Sequence, residues 1–228
     1  MKTIKFTPKK KILAICCVFS LLFVSVMVAF FSTKKSTNYP KQISSTYNHV
    51  IDIENFAEVA GFVDYIFIGK ITEQTEIINE GEFKFETLTG TETINRPATK
   101  YAVRVLENIK GTLNTAEDIE IIKSGGLTSD GKYLFLEIGD FLPEAGDICI
   151  FFSTVDENGN LYIEGKAFNF KLLNFKNSTK TINESMEKTI NEKLKQIREM
   201  DIYKEVVFGY ENEIEFQRER FSVLAEYK

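Results

Sequence analysis

The sequence predicts a mainly β protein: a small antiparallel barrel or sandwich, preceded by an apolar segment and followed by helices. Three observations carry this. Seven or eight short β-type stretches recur between residues 65 and 173 without the intervening helices that a parallel α/β sheet would need. An uncharged run, Ile12 to Phe31, stands ahead of them. From Thr181 the apolar residues return at spacings of three and four.

The first element is the apolar run, ILAICCVFSLLFVSVMVAFF. As a helix it would measure about 30 Å, the thickness of a bilayer's hydrocarbon core. Residues 1–11 form a basic segment ahead of it. An uncleaved signal anchor over residues 12–31 is expected. The run is longer than the roughly 7–15 apolar residues of a cleaved signal, and Met27 two positions before Ala29 makes a poor cleavage site. Cleavage and secretion form the alternative. Cys16 and Cys17 lie too early for a lipid-modified cysteine. Five lysines before the run, against Lys34, Lys35 and Lys41 after it, point the N-terminus to the cytoplasm. The expected placement is the cell membrane, single-pass, with everything from about residue 36 extracytoplasmic.

The charge is divided accordingly. Residues 1–35 carry +7, so the rest of a chain at −5 carries −12. A body that acidic repels a phosphate backbone, and nucleic acid is excluded as a partner. The expected partners are the membrane, through residues 12–31, and an envelope protein, peptide or wall component.

Residues 32–50 are polar and read as a spacer. Asp52 to Val63 places Ile53, Phe56, Val59 and Ala60 on one helical face. Tyr65 to Ile78 reads as a strand, Asn79 to Glu82 as a turn, and Phe83, Phe85 and Thr87 as the face of a returning strand. Gly90 to Pro97 reads as a loop. Further strands follow at Lys100–Asn108, Ile119–Ile122, Lys132–Glu137 and Asp147–Thr154, the last being the most apolar. Asn158-Gly159 supplies a hairpin turn to Leu161–Ile163. Ala167–Leu173 adds a final short strand. These elements place the β domain at residues 51–175 and a helical C-terminal extension at 176–228. In the extension Ile182, Met186, Ile190, Leu194 and Ile197 form one stripe behind a cap region at Asn183. Val206 to Phe221 suggests a second helix, which Gly209 would weaken by about 1 kcal/mol.

Four segments, in order, carry a resemblance: DYIFIGKI (Asp64 to Ile71), KYAVRVLENIKG (Lys100 to Gly111), IEIIKSGG (Ile119 to Gly126) and EAGDICIFF (Glu144 to Phe152). Together they are similar to a group of uncharacterised extracytoplasmic proteins of Gram-positive-type bacteria. The barrels of that group resemble the OB-like domain of tissue inhibitors of metalloproteinases. The resemblance covers about residues 50–172 and implies a closed, OB-like barrel of five to seven strands. It does not imply protease inhibition, because the animal inhibitors act through an N-terminal cysteine and a disulfide-tied edge that this body lacks.

No catalytic, cofactor-binding or metal-binding residue stands out, and no cofactor is expected. With one His and three Cys in the chain, a multi-His metal site and a disulfide framework are nearly excluded. Cys149, inside an apolar run, reads as a small core hydrophobe. His49 lies in the spacer with no fixed neighbour. Ser124-Gly125-Gly126 with Thr128 to Gly131 lacks the Gly-Lys-Ser/Thr of a phosphate loop. Asp156, Asn158 and Asn160 alternate like calcium ligands, but the glycine is misplaced and no helix flanks them. Glu137 with Asp140, or Glu144 with Asp147, could serve a hydrolase. The expected function is a binding module; the alternative is an envelope hydrolase using paired carboxylates.

Overall fold

The sheet closes on itself. In the computed structural model, which describes residues 40–45, 49–174 and 184–228, β2 (Tyr65–Thr87) pairs with β3 (Gly90–Lys110), and β3 with β4 (Asp118–Ser124). β4 pairs with β8 (Leu161–Ile163), β8 with β7 (Asp147–Val155), and β7 returns to β2. β9 (Asn169–Asn174) lies on the far side of β7. Alternation sets what lines the interior: Thr99, Tyr101, Val103 and Val105 from β3 face Ile119, Ile121 and Lys123 from β4, all buried. Phe67 and Phe151 meet at 5.4 Å across the β2–β7 seam.

Two expectations about this sheet are corrected. It is not wholly antiparallel, since β4 and β8 run parallel. Nor does the chain reverse at Asn79–Glu82. β2 and β3 continue as one long hairpin to a two-residue turn at Leu88-Thr89, and the predicted loop Gly90–Pro97 is paired strand. The turn-like composition makes a bulge instead. Asn79 pairs with Pro97 and Glu82 with Asn95, so Glu80 and Gly81 together oppose Arg96, with Gly81 at φ +130°.

The outer arm of the hairpin does not stand alone. Phe83 packs edge-on against Phe135 at 5.0 Å, and Phe85 against Tyr133 at 5.8 Å. Those partners belong to β6 (Tyr133–Glu137), the centre of a second sheet between β1 (Lys41–Ser45) and β5 (Gly126–Leu127). β1 lies within the stretch expected to be a spacer, and runs parallel to β6. Its apolar Ile43 is buried with Ile94 and Phe135, which is why a polar stretch is nonetheless held.

Helix α1 (Phe56–Phe62) begins at Asn55, whose side chain accepts from Ala57 N at 3.0 Å while Glu58 accepts from Asp52 N at 2.9 Å. Helices α2 (Glu184–Arg198) and α3 (Asp201–Glu211) follow the β domain. Ile190, Leu194 and Ile197 are buried as the stripe requires; the cap region at Asn183 lies outside the described residues. The second helix ends at Glu211, short of the expected Phe221, and residues 212–224 run without helix. That segment lies on α1: Ile214 N donates to Ala57 O at 2.9 Å, and Arg218 and Arg220 both hold Asp64. Residues Pro40–Lys228 form one compact unit. Among the described residues no helix is long and apolar enough to cross a membrane; the predicted anchor at 12–31 and the basic segment at 1–11 lie outside them.

Candidate functional site

The closed sheet has a polar plug at one end of its interior. Lys123 points inward from β4 and is fully buried. Its ammonium donates to Asp140 Oδ2 at 2.6 Å, and neither side chain is exposed. Burial pulls Lys123 down from the ordinary lysine value, and the Asp140 carboxylate pulls it back in part. Asp140 Oδ1 accepts from Phe141 N and from Asn169 Nδ2. Tyr101 Oη and Asn169 Oδ1 are buried here without a hydrogen-bond partner among the described residues, and burial raises the Tyr101 phenol.

The plug is linked to a cleft of about 660 Å³ through Gly165, which lines the cleft and whose carbonyl accepts from Asn169 Nδ2; that volume is within the range of about 300–1,000 Å³ usual for small-molecule sites. Four parts of the fold build it. The bulge contributes Asn79 and Glu80, with Arg96 opposite. β8 contributes Tyr162, and the residues after it Glu164 and Gly165. The end of β4 brings Ser124 and the segment after β1 brings His49. The Tyr162 phenol is raised, first by burial and then by the Glu80 carboxylate beside it.

His49 is not free of fixed neighbours, contrary to its reading as a spacer residue. Its Nε2 lies 3.7 Å from Glu137 Oε1, and its ring 5.8 Å from that of Phe168. Glu137, at the end of β6, reaches this position because Gly165 has no side chain. A Cβ there would sit 2.0 Å from Glu137 Oε2, and the backbone is at φ +68°. The same oxygen accepts from Lys166 N at 2.7 Å.

In each proposed hydrolase pair the aspartate is occupied internally. Asp140 is held by Lys123 and Asn169. Asp147 accepts from Glu144 N at 2.9 Å, Asn174 Nδ2 at 2.6 Å and Lys171 Nζ at 2.8 Å. Burial tends to raise Asp147, but these donors outweigh it and hold the carboxyl below the ordinary value. Cys149 is buried, and the apolar surroundings push its thiol up to about 12, so it stays a protonated core residue.

Ser124-Gly125-Gly126 is a packed connection into β5, with Gly125 N donating to Pro97 O and Thr99 Oγ1 to Gly125 O. In the following turn Thr128 Oγ1 donates to Asp130. The Asp156 carboxylate accepts from Asn158 N, Asn160 N and Asn160 Nδ2, forming the β7–β8 turn. No cluster of three or more metal-ligating side chains occurs among the described residues. No protein-family model matches the chain, and no curated protein matches it.

Sequence reading missed Glu80, Arg96, Tyr162 and Glu164. The available signal was Asn79-Glu80-Gly81-Glu82, whose glycine marks either a turn or a bulge; the charged and aromatic residues gather only once the sheet closes.

Proposed function

We propose that this protein is a membrane-tethered, extracytoplasmic binding module whose ligand enters the cleft formed by the β2 bulge, β8 and His49. The observation that carries the reading is the cleft itself: a polar concavity walled by separate segments, with a bulge turning Glu80 beside Tyr162. Bulges commonly re-aim side chains at working sites. The closed order β2-β3-β4-β8-β7, with its one parallel pair, supports an OB-like barrel, a fold that binds extended ligands across its strands and loops. The apolar run at 12–31 supports the tether and the outward placement, with secretion after cleavage as the alternative. An envelope protein, a peptide or a wall component is the expected class of partner. The rival hydrolase draws no support from the carboxylate pairs, because Asp140 and Asp147 spend their oxygens on internal donors.

The test is a photo-crosslinking residue at Asn79, exposed at the rim of the cleft, in the full chain expressed in its own envelope. The expected result is a discrete adduct, absent when the same residue replaces Glu226 in another cavity near Tyr227. Identical patterns from both positions would refute the cleft as the binding site.

A further inference from the structure

We infer that the cleft takes a short zwitterionic peptide, one carrying an ammonium and a free carboxylate. The inference deepens the cleft reading above and rests on it. Its basis is the balance of charges that the fold leaves unpaired at this place. Arg96 and Glu80 are half-buried and Glu164 is exposed, all three line the cleft, and none makes an ion pair among the described residues. Several other partly buried charges of this chain are paired: Arg104 with Asp118, Lys110 with Glu213, Glu107 with Arg198, and Asp64 with two arginines. Arg96 and Glu80 are drawn partly out of bulk water without an ion-pair partner, which is costly, so a ligand supplying the opposite charges is favoured there.

The bulge explains why Arg96 and Glu80 do not satisfy each other. They face across one hairpin, where a regular ladder would make them near neighbours. The extra residue shifts the register, and Glu80 is turned beside the Tyr162 hydroxyl instead. The arrangement keeps a cation and a carboxylate apart in one cavity, with Ile78 and the Tyr162 ring available to cover an aliphatic stem. A phosphate-rich ligand would meet Glu80 and Glu164 as like charges. A neutral saccharide would leave all three charges unmatched. A peptide with one ammonium and one carboxylate offers a counter-charge both to Arg96 and to the glutamates.

The experiment uses the full chain in detergent micelles, titrated calorimetrically with N-acetyl-Ala-Lys-Ala, whose only charges are one ammonium and one carboxylate. Two blocked forms serve as comparisons: the C-terminal amide and the Nε-acetyl-lysine peptide. Chitotriose serves as the neutral saccharide. The expected result is saturable binding of the zwitterion, weakened about tenfold by either block. Arg96→Gln should weaken the free acid but not the amide, with Arg96→Lys restoring part of the difference. Glu80→Gln should weaken the ammonium form but not the acetylated one. These side chains are not in the core, and an unchanged melting temperature checks each variant. Absence of binding at about 10 mM, equal binding of all three peptides, or preference for chitotriose would each overturn the inference. An adduct at Asn79 together with a silent titration leaves the cleft standing and removes the peptide; loss of both removes the site.

Discussion

At the residue scale the least replaceable side chains are those of the plug and of the wall behind the cleft. Lys123→Met leaves Asp140 buried without its cation and is expected to cost about 3–5 kcal/mol. Lys123→Met with Asp140→Leu should recover most of that, and urea denaturation of the single and double variants measures the difference. Gly165→Ala combines a left-handed backbone with a Cβ driven into Glu137; a loss of about 2–4 kcal/mol is expected, read as a fall in melting temperature. Asp147 gives a pH test. Its carboxyl is held below the ordinary value, so the stability it contributes is present above about pH 4 and fades as acid protonates the folded form. Asp147→Asn should cost about 1–3 kcal/mol at neutral pH. The gap to wild type should close on acidification; a gap constant down to pH 3 would contradict this assignment. Cys149 was legible from its apolar neighbours alone. His49 was not, because its partner Glu137 is distant in sequence and reaches it through a missing Cβ.

At the element scale the strands were readable where one face is wet and the other dry, as in Lys100–Asn108, and the tail helix from its stripe. The hairpin arm was misread because Asn-Glu-Gly-Glu composes a turn and a bulge equally well. Only the partner strand decides, and Thr91–Asn95 carries too few apolar residues to announce itself as one. Gly209 shows the same limit in a helix. Propensity alone says Ala should stabilise α3 by about 1 kcal/mol. In the structure a Cβ at Gly209 would lie 2.5 Å from Phe56 Cβ and 2.8 Å from the Phe56 carbonyl carbon, because α3 crosses α1 at close range. Gly209→Ala is therefore expected to destabilise, by about 1–3 kcal/mol. A rise in melting temperature would show that the crossing can relax.

At the scale of the whole molecule, the residues after α3 are part of what holds the closed sheet together. Arg218 donates to Phe62 O at 2.7 Å, Arg220 to Gly61 O at 2.6 Å, and Leu224 N to Gly159 O at 3.1 Å. Removing residues 212–228 strips both guanidinium groups from Asp64 and uncovers the Phe62 ring, which packs on Phe216 at 5.3 Å. Limited proteolysis of the shortened chain should cut within α1 and the β7–β8 turn at rates well above wild type; an unchanged pattern would mean the strap is ornamental. None of this was visible in the sequence, where residues 212–224 show only a weakening helical period.

That strap also sets a schedule. The contact between Asp64 and Arg218 joins positions 154 apart, and the seam from β2 to β7 must wait for residues beyond 147. A chain emerging from the ribosome N-terminus first therefore carries its earliest barrel strand with one edge open until residues 148–153 have emerged. Topologies dominated by such distant pairings mature slowly, and this one becomes protease-resistant only after the segment carrying Arg218 and Arg220 is released.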